Sequence, residues 1–388
     1  MKSKILNFFV RISVISISIL IIFIGFQYTS EDIHFFRDNE VVSYKAKVLT
    51  ADYNTVTSNV NGIKSEIQTL NLKCRILDKD DENKTVIVRQ NLYQDDPTYK
   101  FVKLPDKNDV ILIASSNIKS NQWYFVDYYR IDTILILAFL FSVLLIVIGR
   151  WKGLNALISL VLTSAYIFAV FLPWILSGKS IGLGTIITAI FVIVMSLLIL
   201  EGINIKGLVT IMSCGIGTTI ASFIPLALNS VLHLSGFIDE HSIYLSIMNP
   251  EINIDLVGIV YAGIVIGSLG AIMDVAMDLS SSLYEIKRHT PYISFKALFS
   301  SGIKICQDII GTMTNTLILA FMGSALAQIL LLISYAPSLI DLLNKELIIV
   351  DLLQALSGSI AVVLTAPITA FIATFFLNIV VNKSRSKS

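Results

Sequence analysis

Charge is scarce in this chain. Asp, Glu, Lys and Arg together make up 15% of its 388 residues, against a hydrophobic fraction of 55%. An ordinary soluble domain carries about a quarter charged residues. The scarcity, joined to repeated long apolar runs, excludes that class and sets the chain among integral membrane proteins, with the lipid bilayer as its first partner. The formal balance of +1 offers nothing to neutralise a phosphate backbone, so a nucleic-acid partner is excluded too. Cysteine is nearly missing. Cys74 lies in a polar N-terminal region, and Cys214 and Cys306 lie in or beside apolar segments. No pair has metal-site spacing, and one cysteine outside the membrane cannot form an internal disulfide. His34, His233, His241 and His289 are scattered through polar connections and read as solvated loop residues. No phosphate-cradling glycine loop, Ser–His–Asp set or redox motif is present. No enzyme chemistry and no cofactor is expected, and an ATP-driven pump would need a separate subunit.

What is there falls into three parts: an anchor over 1–29, a polar region over 30–128 and a multi-pass domain over 129–388. The basic start, Lys2, Lys4 and Arg11, precedes an apolar run from Ile12 to Phe26 without a convincing cleavage site, which favours an uncleaved anchor over a signal peptide. Residues 30–128 alternate in short runs: 41–49, 66–72, 85–90 and 109–114 read as strands, with turn material at Asn61-Gly62 and from Asp78 to Asn83. A small β-barrel-like, OB-like domain is expected. Trp123, Tyr124, Tyr128, Tyr129 and Trp174 look like interface anchors. Apolar spans follow at 131–149, 154–175, 182–200, 207–231, 256–279, 304–334 and 348–381, the last two interrupted by Gly311, Gly358 and Pro367, with Pro337 between them. With the anchor these predict about eight transmembrane helices. Arg150-Trp151-Lys152, Lys206, Lys287-Arg288 and the tail Lys383 to Lys387 then fall on the cytoplasmic side, with both termini, and residues 30–128 are extracytoplasmic.

The most informative run is an apolar segment carrying acids. On a helix, Gly263, Gly267, Gly270, Asp274, Asp278, Ser281 and Glu285 follow at steps of four and three, which puts them on one face. Asp308, Thr312 and Asn315 share a face on the next span. The two faces are expected to look at each other. The glycines, with Gly311, would let helices approach closely, and Gly311-Thr312 would mark a local break. Asp274 lies about 27 Å below Leu256 at 1.5 Å per residue, near the inner boundary of a core about 30 Å thick. A bland reading exists: acids at that depth are wetted from the cytoplasm, and Asp308 sits near a helix N-terminus. The sharper one is an ion or substrate site. Asp274, Asp278 and Asp308 supply carboxylates, and Ser281, Thr312 and Asn315 supply neutral oxygens. That donor set suits protons or hard cations and not zinc or copper. Asp351 and Gln354 read as interfacial.

Gly270-Ala271-Ile272-Met273-Asp274-Val275-Ala276-Met277-Asp278-Leu279 with Glu285-Ile286 resembles the most distinctive block of the YibE/F membrane proteins of bacteria, and Gln307-Asp308-Ile309-Ile310-Gly311-Thr312-Met313-Thr314-Asn315 resembles the second. Trp151-Lys152-Gly153-Leu154, Glu201-Gly202-Ile203-Asn204 and Asn108-Asp109 are similar too, although the family often has Gly before that last aspartate, and often a base where Gln307 stands. Lys304 is the available substitute. The resemblance implies a multi-pass protein of the bacterial cell membrane with a transport role and no established substrate. A secondary transporter for a proton or cation and a small solute is therefore expected. The alternative is a non-enzymatic assembly or sensing protein whose β-domain binds a ligand or partner and whose Gly263, Gly267 and Gly270 form a helix-packing seam; a second copy or a paired membrane subunit is a further expected partner. An intramembrane aspartyl protease is disfavoured, because its Gly-x-Gly-Asp signature is missing before Asp308.

Overall fold

The computed structural model describes residues 2–30, 42–60, 63–78, 84–93, 103–115, 122–248 and 254–385. The expected turn Asn61-Gly62 and most of the acidic turn, 79–83, lie outside them. Two units form: His34–Leu144, and Met1–Ile33 together with Leu145–Ser388.

Period-two patterning builds the smaller unit. Strands β1 (Val42–Val60), β2 (Ile63–Ile76), β3 (Thr85–Tyr93), β4 (Val110–Ser115) and β5 (Tyr124–Tyr128) pair antiparallel in the order β3-β2-β1-β4-β5. Alternate residues point one way, so Tyr44, Ala46, Val48, Leu70, Leu72, Cys74, Val86, Val88, Ile111 and Ile113 form one buried face. The sheet is open, which corrects the expected barrel-like, OB-like form. A bulge between Val48 and Thr50 bends β1, and the edges of the sheet approach at the Val88–Trp123 bridge, where the Arg89 amide donates to the Trp123 carbonyl at 3.1 Å. Trp123 is no interface anchor. It is buried against Tyr44, ring centroids 5.5 Å apart, because its ring completes the sheet's apolar face.

The larger unit is helical. It comprises α1 (Lys2–Ser30), the larger part of α2 (Ile131–Tyr166) with a π-turn after it, α3 (Leu172–Leu176), α4 (Ile181–Leu200), α5 (Ile205–Leu232), α6 (Glu240–Met248), α7 (Leu256–His289), α8 (Phe295–Ser324), α9 (Leu326–Tyr335), α10 (Leu339–Leu343) and α11 (Glu346–Arg385). Helix α7 is central, packing on α4, α5, α8 and α11. Small and hydroxylated residues allow this. A Cβ on Gly217 of α5 would lie 2.1 Å from Thr365 Oγ1 of α11 and 2.8 Å from Ile272 Cγ2 of α7. Thr210 and Ser280 share a hydrogen bond of 2.7 Å between α5 and α7. Where lipid tails are as apolar as the helices, close backbone approach and such bonds hold a bundle together. Helix α1 runs antiparallel along α4, with Arg11 donating to the Leu200 carbonyl at 3.3 Å near one end and Lys179, in the connection before α4, donating to the Tyr28 carbonyl at 3.1 Å near the other.

By length and composition, seven helices among the described residues are fit to cross a membrane, where about eight were expected. The difference is Ile131–Leu176, whose 46 residues form one apolar helical stretch. At about 1.5 Å per residue this is over twice a bilayer core. Arg150 leaves the helix at φ 49°, ψ −129°, and a Cβ on Gly153 would fall 2.0 Å from the Leu145 carbonyl oxygen. Residues eight apart in a straight helix are separated by about 12 Å. The chain therefore turns back on itself at Arg150. The expected span 304–334 is not one helix either: it breaks at Ala325, and α9 adds ten residues with none buried. Conversely, α8 runs unbroken through Gly311-Thr312, and α11 runs through Gly358 and Pro367.

Candidate functional site on the central helix

The helix that carries the acids starts from a capped end. Asp255 accepts from the Gly258 amide at 2.9 Å, and α7 then continues for 34 residues, ending in Lys287, Arg288 and His289 where the dipole favours cations. Its apolar face is at the heart of the bundle: Ile264, Ile272, Val275, Ala276, Leu279 and Leu283 are almost wholly buried. The 3.6-residue period places Gly263, Gly267, Gly270, Asp274, Asp278 and Glu285 opposite, and all six are exposed, with Ser281 half-buried beside them.

Helix α8 repeats the pattern. Leu298, Gly302, Cys306 and Leu317 are buried, while Asp308, Gly311, Thr312 and Asn315 are exposed. The two helices are antiparallel, and their register is fixed by Gly302, whose Cβ would meet Leu283 at 3.3 Å, and by Gly267, whose Cβ would meet Phe321 at 3.4 Å. Counting from the first pair sets Asp308 level with Met277, Thr312 with Met273 and Asn315 with Gly270. The predicted residues thus share one layer of the molecule, within about three turns of each other. They do not share a closed chamber. Among the described residues no hydrogen bond or ion pair joins the α7 set to the α8 set: Thr312 donates to its own helix at Ile309, and the Ser282 hydroxyl takes the Asp278 carbonyl. Lys304 forms no ion pair with Asp308 within 4 Å. The reason is geometric, since both polar faces point away from the packed core that the apolar faces make.

The glycines are likewise not a seam within the chain. Nothing lies within 4 Å of a Cβ built on Gly263, Gly270 or Gly311, and only Gly267 is approached, by Gln354 at 2.9 Å and by Phe321. Ile264, Ser268 and Ile272, on the opposite face of α7 from the acids, are fully buried. Asn229 lines a separate cavity of about 290 Å³ with Asp255 and Tyr261. What continues the acid stripe is the glycine half of the same face, and its last member, Gly263, forms part of the wall of a larger cavity with Asp239, Gln328, Asp351 and Gln354. Sequence reasoning set Asp351 and Gln354 aside as interfacial. The signal available was their spacing of three, which turns both to one side of α11.

Other singled-out residues have structural work. In Glu201-Gly202-Ile203-Asn204, Gly202 takes φ 76° to end α4, Asn204 caps α5 by accepting from the Gly207 amide at 2.7 Å, and Glu201 pairs with Lys206 at 2.8 Å. Lys287 is buried and donates to the Asn378 side chain at 2.8 Å and to the Ile293 carbonyl at 3.1 Å, tying α7 to α11 and to the connection that follows α7. No group of His, Cys, Asp and Glu spaced to hold a metal occurs among the described residues.

Comparison with known proteins gives neither a curated relative nor a solved structure that matches. A family model does match, that of the YibE/F-like protein, over residues 137–379. That stretch takes in α7, α8, both acid-bearing faces and most of the helical unit. With well over half of its length inside the match, the chain belongs to the YibE/F-like family of proteins, and its apolar helices make it a membrane protein.

Proposed function

We propose that this membrane protein is a secondary transporter in which the exposed face of α7 forms part of the path of a proton or cation. The observation that carries this is the continuity of one helix face, from the cavity rim at Gly263 through Gly267 and Gly270 to Asp274 and Asp278, level with Asp308. A carboxylate at mid-membrane costs roughly 2.5–3.5 kcal/mol on insertion scales, an upper bound for acids placed near the inner boundary. Two on one face of a central helix, with a third at the same level, need water, an ion or a partner to be tolerated. The topology that goes with this reading has eight crossings, the reversal at Arg150 dividing Ile131–Leu176 into two, with the β-sheet outside the cytoplasm and both termini within it.

Purified protein reconstituted into vesicles holding a pH-sensitive dye, under a potassium diffusion potential, tests the proposal. Wild type is expected to conduct protons. Asp274→Asn and Asp308→Asn should each lower the rate at least tenfold with insertion unchanged. A flux no greater than that of empty vesicles, or variants as fast as wild type, would end it.

The assembly reading has an observation of its own: nothing in the chain covers Gly263, Gly270 or Gly311. If a second copy does so in the bilayer, Gly270→Cys should give a disulfide-linked dimer in membranes under mild oxidant, while the exposed lipid-facing control Phe223→Cys should not. Monomeric Gly270→Cys protein would remove this reading.

A further inference from the structure

The cavity at the end of the bundle where α7 and α11 begin encloses about 530 Å³. Its frame is built, not incidental. The Glu346 carboxylate accepts from the Ser235 amide, the Ser235 hydroxyl and the Gly236 amide, each at 2.7 Å. Gly236, at φ 80°, lies so close to α7 that a Cβ would sit 2.6 Å from Leu256 Cβ. The loop after α5 is thereby locked to the first turns of both helices. Helix α6 closes another side: Asp239 accepts from the Ser242 amide at 2.9 Å, and that hydrogen-bonding residue holds its carboxyl below the usual range.

One group in this frame is left over. Asp351 lines the cavity, which its carboxyl can meet only through Oδ1, because Oδ2 is inaccessible to solvent; Oδ2 has no hydrogen-bond partner among the described residues. Gln354, on the same side of α11, makes only a long contact to the Gly263 carbonyl, 3.3 Å, and Gln328 of α9 stands on the wall with it. No Lys or Arg lines the cavity, and His241 makes no hydrogen bond to Asp351. A carboxylate oxygen withdrawn from water without a donor costs several kcal/mol, which a cationic donor offsets best. The rest of the wall is apolar, Val260 and Val350 among it. A bare hard cation needs about six oxygen ligands to replace its hydration; of the side-chain oxygens on this wall, those of Asp239 and Ser242 are already engaged with each other, which leaves the carboxyl of Asp351 and the amides of Gln328 and Gln354. An anion would meet two carboxylates.

We propose that this cavity is a binding site for a small organic ammonium ion, its –NH₃⁺ on Asp351 beside the Gln354 and Gln328 amides and its hydrocarbon body against Val260 and Val350. The site is separate from the α7 carboxylates, so it stands whether or not those carry a transported ion.

Equilibrium binding of radiolabelled phenethylamine to the purified full-length protein in nanodiscs tests this. The expected result is saturable binding that 2-phenylethanol and 3-phenylpropionate compete for at least tenfold more weakly than unlabelled amine. Asp351→Asn should weaken binding tenfold or more. Gly263→Leu should abolish it by filling the cavity, and since a Cβ at Gly263 meets nothing within 4 Å, that variant keeps the test open if Asp351→Asn does not fold. Asp274→Asn should bind amine as wild type does, whatever its proton flux. No saturable binding to folded wild type, equal competition by the alcohol, or full affinity in either cavity variant would overturn the proposal.

Discussion

Asn108 stands at φ 76°, in the left-handed region, where its amide donates to the Val48 carbonyl at 2.9 Å and opens the turn into β4. The position needs a residue that tolerates positive φ, and Asn does so better than any other side chain save Gly. Nothing about a ligand is needed. Glu201 to Asn204 is legible in the same way, as the end of one helix and the cap of the next. Cys74 makes the residue-scale prediction. Burial in the sheet core pushes its thiol up to about 12 from an ordinary 9.0. That rise leaves about a thousandfold less thiolate at pH 8 than in the unfolded chain. Alkylation of Cys74 by iodoacetamide, followed by peptide mass spectrometry, should be slower by at least a hundredfold in the native protein than after denaturation. Because the folded value lies above the unfolded one, this thiol leaves stability untouched below about pH 9 and erodes it between 9 and 12. Equal rates in the two states would show that the sheet does not cover it.

At the scale of elements, the run from Ile131 to Leu176 shows how far pattern reaches. Composition marks it as too long for one crossing and Arg150-Trp151-Lys152 as its interruption, yet backbone geometry is what turns the interruption into a reversal. Gly153 is the residue that makes it close, because any Cβ there collides with the Leu145 carbonyl, 2.0 Å away. Gly153→Val should therefore lower the thermal midpoint of the detergent-solubilised protein by several degrees, or prevent its accumulation. Gly149→Val, where a Cβ meets nothing within 4 Å, should have little effect. Comparable losses in both would argue that helix propensity, and not the reversal, sets the cost. The opposite error occurred at 304–334. Hydropathy is blind to the break at Ala325, since Leu326–Tyr335 is as apolar as the helix before it. Edge strand β5 was hidden for a related reason: its aromatics read equally as interface anchors and as a strand.

At the scale of the whole molecule, the eight-crossing arrangement proposed above makes a single prediction about sides. In a protein lacking its three native cysteines, Trp151→Cys and Ser384→Cys should react with a membrane-impermeant maleimide only after spheroplasts are opened. Lys103→Cys, in the polar region, should react in intact ones. Labelling of Trp151→Cys from outside would refute the reversal as a membrane hairpin. The candidate site divides between levels in the same manner. The period of the sequence was enough to place Asp274, Asp278 and Ser281 on one side of a helix and Asp308, Thr312 and Asn315 on one side of another. Those assignments follow from 3.6 residues per turn and from nothing remote in the chain. Which way those sides point could not be read from it. Whether a polar face closes against its neighbour or turns outward depends on which small residues let which helices touch, and here Gly217 against Thr365 and Gly302 against Leu283 draw the apolar faces inward. The cavity around Asp351 was equally out of reach, because its walls come from α6, α7, α9 and α11, segments more than a hundred residues apart at the extremes. Periodicity is a local property of the chain; enclosure is a property of distant segments meeting, and only the packed bundle decides it.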